Sequence, residues 1–368
     1  MAEPQRLTLV ISSVGMGGAE RVLSLLANRW ADQGRSVALL TFDDGSEPPF
    51  FELRPSIDLQ PLALSGRSAH WAGGVVRNAV RMRLLRRALA QSRPETIISF
   101  MDQVNVLTLL ASRGLRVPVV ISERTDPAVH KVGRSWNAAR RLTYSFADAI
   151  VVQTDSIKKR FEPFMGSKIH VIPNPAPAPP ASPAAHEAER TIISMGRLID
   201  SKGFDLLIEA FAKISAARPG WRLEIIGEGP ERGRLEDLVH RLGVVDRVFL
   251  PGLSRIPMER FRAAQVFALS SHYEGFPNVL LEAMACGLAV VSADCPTGPR
   301  HIVRDGVDGL LVPAGNAGAL AAALDRLTGD PALRRALGRE ALAVTRRFSL
   351  EEIGRQWDGL LARLGEKP

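Results

Sequence analysis

Short apolar runs alternate with longer stretches of helical period along most of the chain. An apolar run over 7–13 ends in glycines, a helical pattern follows over 19–30, and a second apolar run occupies 36–42. Further runs predict strands at 57–64, 96–100, 117–122, 148–154 and 168–174. Helices are predicted over the arginine-bearing stretch 77–93, over 102–111 and around 134–146. Several runs are apolar at every position, the pattern of a strand covered on both faces of a parallel sheet. A proline-dense stretch over 173–189 then interrupts the alternation, since proline continues neither a helix nor a central strand, and reads as a semi-rigid linker. Beyond it the pattern resumes. Strands are predicted at 190–196, 221–229, 247–252, 265–271 and 288–294, with a short edge strand at 309–313. Helices are predicted at 203–217, 230–242, from Pro257, and at 317–328, 331–343 and 349–365. Ser349 and Glu352 form a Ser-x-x-Glu capping box at the start of the last one.

Composition narrows this picture. With 368 residues, 46% of them hydrophobic, the chain exceeds one compact core, and two α/β domains of parallel-sheet type are expected. Cys286 and Cys295 are the two cysteines and belong to no Cys/His cluster, so neither a zinc site nor a disulfide framework is expected. The N-terminal apolar run is too short for a signal peptide, and no run is long enough to cross a bilayer. The expected location is the cytoplasm, or the cytoplasmic face of a membrane. The formal charge is +8. Stretches 77–93 and 130–146 mix cations with apolar or aromatic residues, which suits phosphate, nucleic acid or anionic lipid, and equally a solvated helix face. No zinc finger or RNP-type aromatic motif supports nucleic acid.

Three segments carry candidate chemistry. In 193–203, Gly196 permits a tight exit from a strand, and Arg197 and Lys202 put two cations beside one loop, as a diphosphate requires. Two surface cations flanking a turn is the structural alternative. In 13–21, Gly15, Gly17 and Gly18 lie between the first strand and the first helix, where backbone amides can approach an anion or a sugar hydroxyl. The segment lacks the last glycine of GxGxxG, so it does not by itself specify a dinucleotide, and structural turn use fits it as well. In 271–287, Pro277 suits the first helical turn. Glu274 then falls in the loop before a helix and Glu282 inside it, with anion-binding amides over 275–279 between them. Carboxylates accept well from sugar hydroxyls. The alternative has Glu274 capping or facing water and Glu282 pointing outward.

Together, Glu274-Gly-Phe-Pro-Asn-Val-Leu-Leu-Glu282, the Gly196–Lys202 segment and the Gly17-Gly-Ala-Glu-Arg21 loop resemble retaining glycosyltransferases of family 4, with the E-x7-E motif. The resemblance spans nearly the whole chain. Segments 98–106, 121–127 and 292–303 resemble the members that extend undecaprenyl-diphosphate-linked oligosaccharides and exopolysaccharides, N-acetylgalactosaminyltransferases among them. The resemblance implies a GT-B fold, two Rossmann-like α/β domains facing across a cleft. It implies an acceptor domain over 1–175, a linker over 176–189, a nucleotide-sugar domain over 190–345, and a C-terminal helix over 346–368 crossing back to the first domain.

By the same resemblance, Arg197 and Lys202 hold the donor diphosphate and act with Glu274 in catalysis. Glu274 meets the transferred sugar and Glu282 the ribose. Gly275, Phe276, Asn278 and Val279 touch sugar or phosphate, Pro251 and Gly252 line the base, and Gly17 and Gly18 approach from the other domain. Many family members carry a histidine after the strand at 117–122; here Glu123 and Arg124 stand there, and they are assigned with Arg77 and Arg81 to the acceptor. The implied reaction moves a hexose or N-acetylhexosamine from a UDP-sugar to a polyprenyl-diphosphate-linked glycan at an anionic membrane surface. No cofactor and no metal are expected, and no nucleic-acid partner. The competing readings are a UDP-sugar epimerase of the same fold, which needs no acceptor, and a basic membrane- or nucleic-acid-binding protein without activity.

Overall fold

The computed structural model describes residues 5–64, 71–125, 133–178, 189–254 and 256–366, excepting the side chains of 71–78, 134 and 164. The chain forms two compact units, one of residues 1–174 with 353–368 and one of 175–352.

The first unit is built on seven strands: β1 (Arg6–Ile11), β2 (Ser36–Thr41), β3 (Asp58–Pro61), β4 (Thr96–Phe100), β5 (Val119–Ser122), β6 (Ala149–Val152) and β7 (Ile169–Val171). All pair in parallel in the order β3-β2-β1-β4-β5-β6-β7. β4, β5 and β6 are buried at every position, Thr96, Ser99 and Ser122 included, as strands covered on both faces of a parallel sheet are. The helix Asp155–Met165 escapes the apolar pattern: it is amphipathic, contains Pro163, and is capped where Thr154 Oγ1 accepts from the Ile157 amide at 3.2 Å. Helix Trp71–Gln91 buries Leu85, Ala88 and Leu89, whereas Leu84 is 45% exposed.

The second unit holds six parallel strands: β8 (Thr191–Met195), β9 (Arg222–Ile226), β10 (Val248–Gly252), β11 (Val266–Leu269), β12 (Ala289–Asp294) and β13 (Leu310–Pro313). Their order is β10-β9-β8-β11-β12-β13. β13 lies at one edge as expected, and β10 carries Pro251 at the other, where a missing N–H is tolerated.

In both sheets the strand order reverses direction beside the first strand, between β1 and β4 and between β8 and β11. In open parallel sheets ligands usually sit beyond the carboxyl ends of the strands at such a reversal.

After β13 the chain runs through helices Ala317–Gly329, Pro331–Ala341 and Val344–Arg347. Helix Leu350–Gly365 opens with the Glu352 amide donating to Ser349 Oγ at 3.1 Å, one half of the expected capping box. The chain rejoins the first unit at Ile353, within this helix. Trp357 is stacked on Phe100 and edge-on to Trp30, at 6.1 Å from each. Asp358 accepts from Trp30 Nε1 at 3.0 Å and pairs with Arg29 and Arg35.

Candidate active site

The site in the second unit is assembled by the two loops that flank the reversal of strand order. After β8 the chain turns at Gly196, passes Arg197, and makes a short 3-10 turn over Asp200–Lys202. After β11 it runs through Ser270–Pro277 into the helix Asn278–Ala285. Ser270 Oγ donates to Lys202 O at 3.0 Å, and the His272 amide donates to Ser201 O at 2.9 Å. Gly203 makes the approach possible: its φ is +59°, and a Cβ there would stand 2.4 Å from Ser270 O.

This docking places Lys202 Nζ 2.7 Å from Glu274 Oε1. Ser271 Oγ donates to the same oxygen, also at 2.7 Å. Glu274 and Glu282 are both buried, at 8% and 4% exposure. Glu282 therefore points into the unit rather than to water, and Glu274 is held by a cation rather than serving as a solvated cap. Pro277 is one position outside its expected place: it is the cap residue itself, with extended ψ, and the helix starts at Asn278. The amides that lead into this helix follow Glu274 directly, so a cation, a carboxylate and a partly positive helix start share one loop end. Arg197 is exposed at the rim of the β8 turn. Phe276 is buried edge-on against Phe348, with ring centroids 5.5 Å apart. Gly275, Asn278 and Val279 are partly exposed around it. Pro251 and Gly252 end β10, two strands from β8, where the Gly227 amide donates to Gly252 O at 2.9 Å.

Gly17 and Gly18 occupy the corresponding place in the first unit, where β1 passes into helix Gly18–Asp32. Gly17 is extended, a conformation open to any residue, and the nearest atoms a Cβ there would meet are the carboxyl end of the Glu20 side chain. Burial raises the Glu20 carboxyl above its ordinary range, opposed by its own amide and by the Arg124 charge. The Arg124 guanidinium carbon lies over Phe100, 4.3 Å from the ring centre, and Nη1 donates to Asn174 Oδ1 at 2.8 Å. Burial pulls its guanidinium down to about 9.

Glu123 does not reach a surface. It is fully buried, accepts from Tyr144 Oη at 2.6 Å and Thr125 Oγ1 at 3.2 Å, and lies 3.7 Å from Arg140. Burial pushes its carboxyl up to about 7 despite Tyr144 and Arg140. The acceptor contact expected of Glu123 is replaced by this internal network, which Asn105 extends by bonding Tyr144 Oη and the Ser122 carbonyl. Arg81 is likewise engaged within its unit, Nε donating to Leu64 O at 2.6 Å. Arg77 sits on helix Trp71–Gln91, but its side chain lies outside the described residues.

The sequence reading missed Ser271, Gly203 and Thr297, whose hydroxyl donates to Glu274 O. Small residues near a strand end give no periodic signal; only the folded loops show what they touch.

Comparison with known proteins identifies the family and the fold. A glycosyl transferase 4-like domain matches residues 17–175, and the glycosyl transferases group 1 family matches 179–343. The chain is 28% identical to a Campylobacter jejuni GalNAc-alpha-(1->4)-GalNAc-alpha-(1->3)-diNAcBac-PP-undecaprenol alpha-1,4-N-acetyl-D-galactosaminyltransferase, over 98% of this chain and 99% of that protein. It is 34% identical to the lipopolysaccharide core biosynthesis glycosyltransferase LpsE of Rhizobium meliloti, over 65% of this chain and 70% of the other. A 41% identical match to an exopolysaccharide phosphotransferase of Streptomyces coelicolor spans 59% of this chain but 23% of that larger protein. Among solved structures, Anabaena HepE in complex with UDP and glucose superposes with a TM-score of 0.82 over 97% of this chain and 99% of the other, at 20% identity, a likeness of fold. The matches across both halves of the sequence, the identity to LpsE and the likeness of fold to HepE lead to one conclusion: the chain belongs to the group 1 glycosyl transferases, with the GT-B fold.

Proposed function

We propose that the protein is a retaining glycosyltransferase that moves a hexose or N-acetylhexosamine from a UDP-sugar to a polyprenyl-diphosphate-linked saccharide. The observation that carries this reading is the Lys202–Glu274 pair, which joins the two loops at the reversal of strand order in the second sheet. The Campylobacter relative is named for transfer onto an undecaprenyl-diphosphate glycan, and HepE was solved with UDP and glucose; both support the donor and acceptor classes.

As the glycosidic bond breaks, negative charge grows on the leaving diphosphate. Arg197, Lys202 and the amides before Asn278 oppose it, and such fixed charges stabilise a transition state without reorganising. Glu274 receives a hydroxyl of the transferred sugar, Glu282 the ribose, and Pro251 and Gly252 flank the base. Gly17 and Gly18 are assigned to the donor and Arg124 to the acceptor. Cationic side chains take the part that a metal plays in other transferases, so no metal is assigned. Among the described residues, no helix is long and apolar enough to cross a membrane. The lipid-linked acceptor is met by peripheral contact with an anionic cytoplasmic leaflet.

The test is a donor panel of UDP-hexoses and UDP-N-acetylhexosamines, with and without a polyprenyl-diphosphate-linked sugar, in the presence and absence of EDTA. Acceptor-dependent UDP release with an α-linked product, unchanged by EDTA, is expected. Isomerised donor without acceptor would establish an epimerase instead, and an inverted linkage would end the retaining assignment.

A further inference from the structure

Residues 295–303 follow β12 and add no group to the donor seat described above, yet they hold the loop that carries Glu274. Cys295 Sγ donates to Ser271 O at 3.0 Å, and Thr297 Oγ1 donates to Glu274 O. Gly298, at φ +84°, lies so close to this loop that a Cβ would stand 2.8 Å from Gly275 O. Burial, with help from Glu274 and Asp294, pushes the Cys295 thiol up to about 12, so it remains an S–H donor at neutral pH.

The grip on the carboxylate itself is one-sided. Glu274 Oε1 accepts from both Lys202 Nζ and Ser271 Oγ, each at 2.7 Å. Among the described residues Oε2 accepts no hydrogen bond, and the side chain keeps 10% of its surface open. A carboxylate held by a lysine alone can pivot, because an ammonium donates in three directions. A second donor on the same oxygen removes that freedom. Ser271 is fully buried, so its hydroxyl has little choice of partner.

We propose that Ser271 and Thr297 are positioning residues. Ser271 fixes Oε1 and Thr297 fixes the main chain, so that Oε2 is presented to a single hydroxyl of the transferred sugar. This rests on Glu274 being the group that meets that sugar. Without Ser271, Glu274 stays in its place but its free oxygen is no longer aimed, which affects turnover rather than nucleotide binding.

The experiment is steady-state kinetics with the donor found active in the panel, together with calorimetric UDP binding, on Ser271→Ala, Thr297→Val, Thr297→Ser, Glu274→Gln and the Ser271→Ala/Glu274→Gln double variant. Ser271→Ala is expected to lower kcat about ten-fold, the scale of one hydrogen bond to a charged group, with UDP affinity within about two-fold of wild type. Thr297→Val moves kcat the same way and Thr297→Ser restores it. In the Glu274→Gln background, Ser271→Ala costs less than about two-fold more, because both act through one carboxylate. Equal losses from Ser271→Ala in both backgrounds, or a fall in UDP affinity matching the fall in kcat, would overturn the proposal in favour of a general structural role. A damaging Glu274→Gln beside a silent Ser271→Ala would overturn it while sparing the role of Glu274. An unaffected Glu274→Gln would remove both.

Discussion

Glu123 shows how far a residue's environment can move it from the role its position suggests. It directly follows β5, where a ligand contact is expected, and instead closes a buried network with Tyr144, Thr125 and Arg140. Its carboxyl is raised from 4.5 to about 7, chiefly by burial. A folded-state value above the unfolded one means that the native state binds the extra proton. This group's contribution is therefore most favourable below about 4.5 and is lost as pH rises through about 7. The full swing is of the order of 3 kcal/mol. Glu123→Gln keeps an acceptor for Tyr144 without the charge. Thermal unfolding across pH should show the variant gaining on wild type between pH 5 and 8; a constant difference would mean that Glu123 does not titrate in this range. Glu274 and Lys202 are the contrasting case, since both loops bring the expected groups to the same spot.

At the scale of the element, helix Trp71–Gln91 divides its arginines by task. Arg81 bonds Leu64 O, and Arg86 Nη1 bonds the carbonyls of Ala111 and Arg113, so these two fasten the helix to its own unit. Arg83 and Arg87 are exposed on the side that also shows Val80 and Leu84, at 51% and 45%. Mixed cationic and apolar exposure on one helix face suits an anionic lipid surface. Under the proposed function, Arg83→Glu/Arg87→Glu should weaken sedimentation with anionic vesicles and use of a long-chain lipid-linked acceptor. Donor hydrolysis and use of a short soluble acceptor should be preserved. Equal loss of all these would count against a lipid-facing role. The sequence showed cations mixed with apolar residues over this stretch; which arginines were already committed depended on carbonyls of Leu64, Ala111 and Arg113.

For the whole molecule, the notable feature is that the first unit is finished by residues from the far end of the chain. Trp357 is 1% exposed between Phe100 and Trp30, and Asp358 ties Arg29, Arg35 and Trp30. Truncating a buried tryptophan typically costs about 3–5 kcal/mol. Trp357→Ala should therefore lower the unfolding transition of the unit containing residues 1–174 and leave that of residues 175–352 in place, as read by hydrogen exchange resolved along the sequence. Uniform loss of protection across both units would show that they unfold as one. The C-terminal helix thus acts as part of the first core, although its sequence neighbours belong to the second.

Taken by itself, the sequence determined the elements and their class. Apolar runs, proline breaks and capping residues act within a few positions, so β4, helix Asp102–Ala111 and the Ser349 cap were legible without contacts. The same locality hid helix Asp155–Met165, where Pro163 and charged residues blur the period. The sequence also supplied the cations and carboxylates of the candidate site, because Arg197, Lys202, Glu274 and Glu282 stand in recognisable motifs. Which of these groups meet depends on the folded chain. Lys202 and Glu274 become partners because β8 and β11 are neighbours in the sheet while distant in the chain. Glu123 is lost to the interior, and Ser271 is revealed as a support, for the same reason: hydrogen-bond partners are chosen by distance in space, which local pattern does not encode.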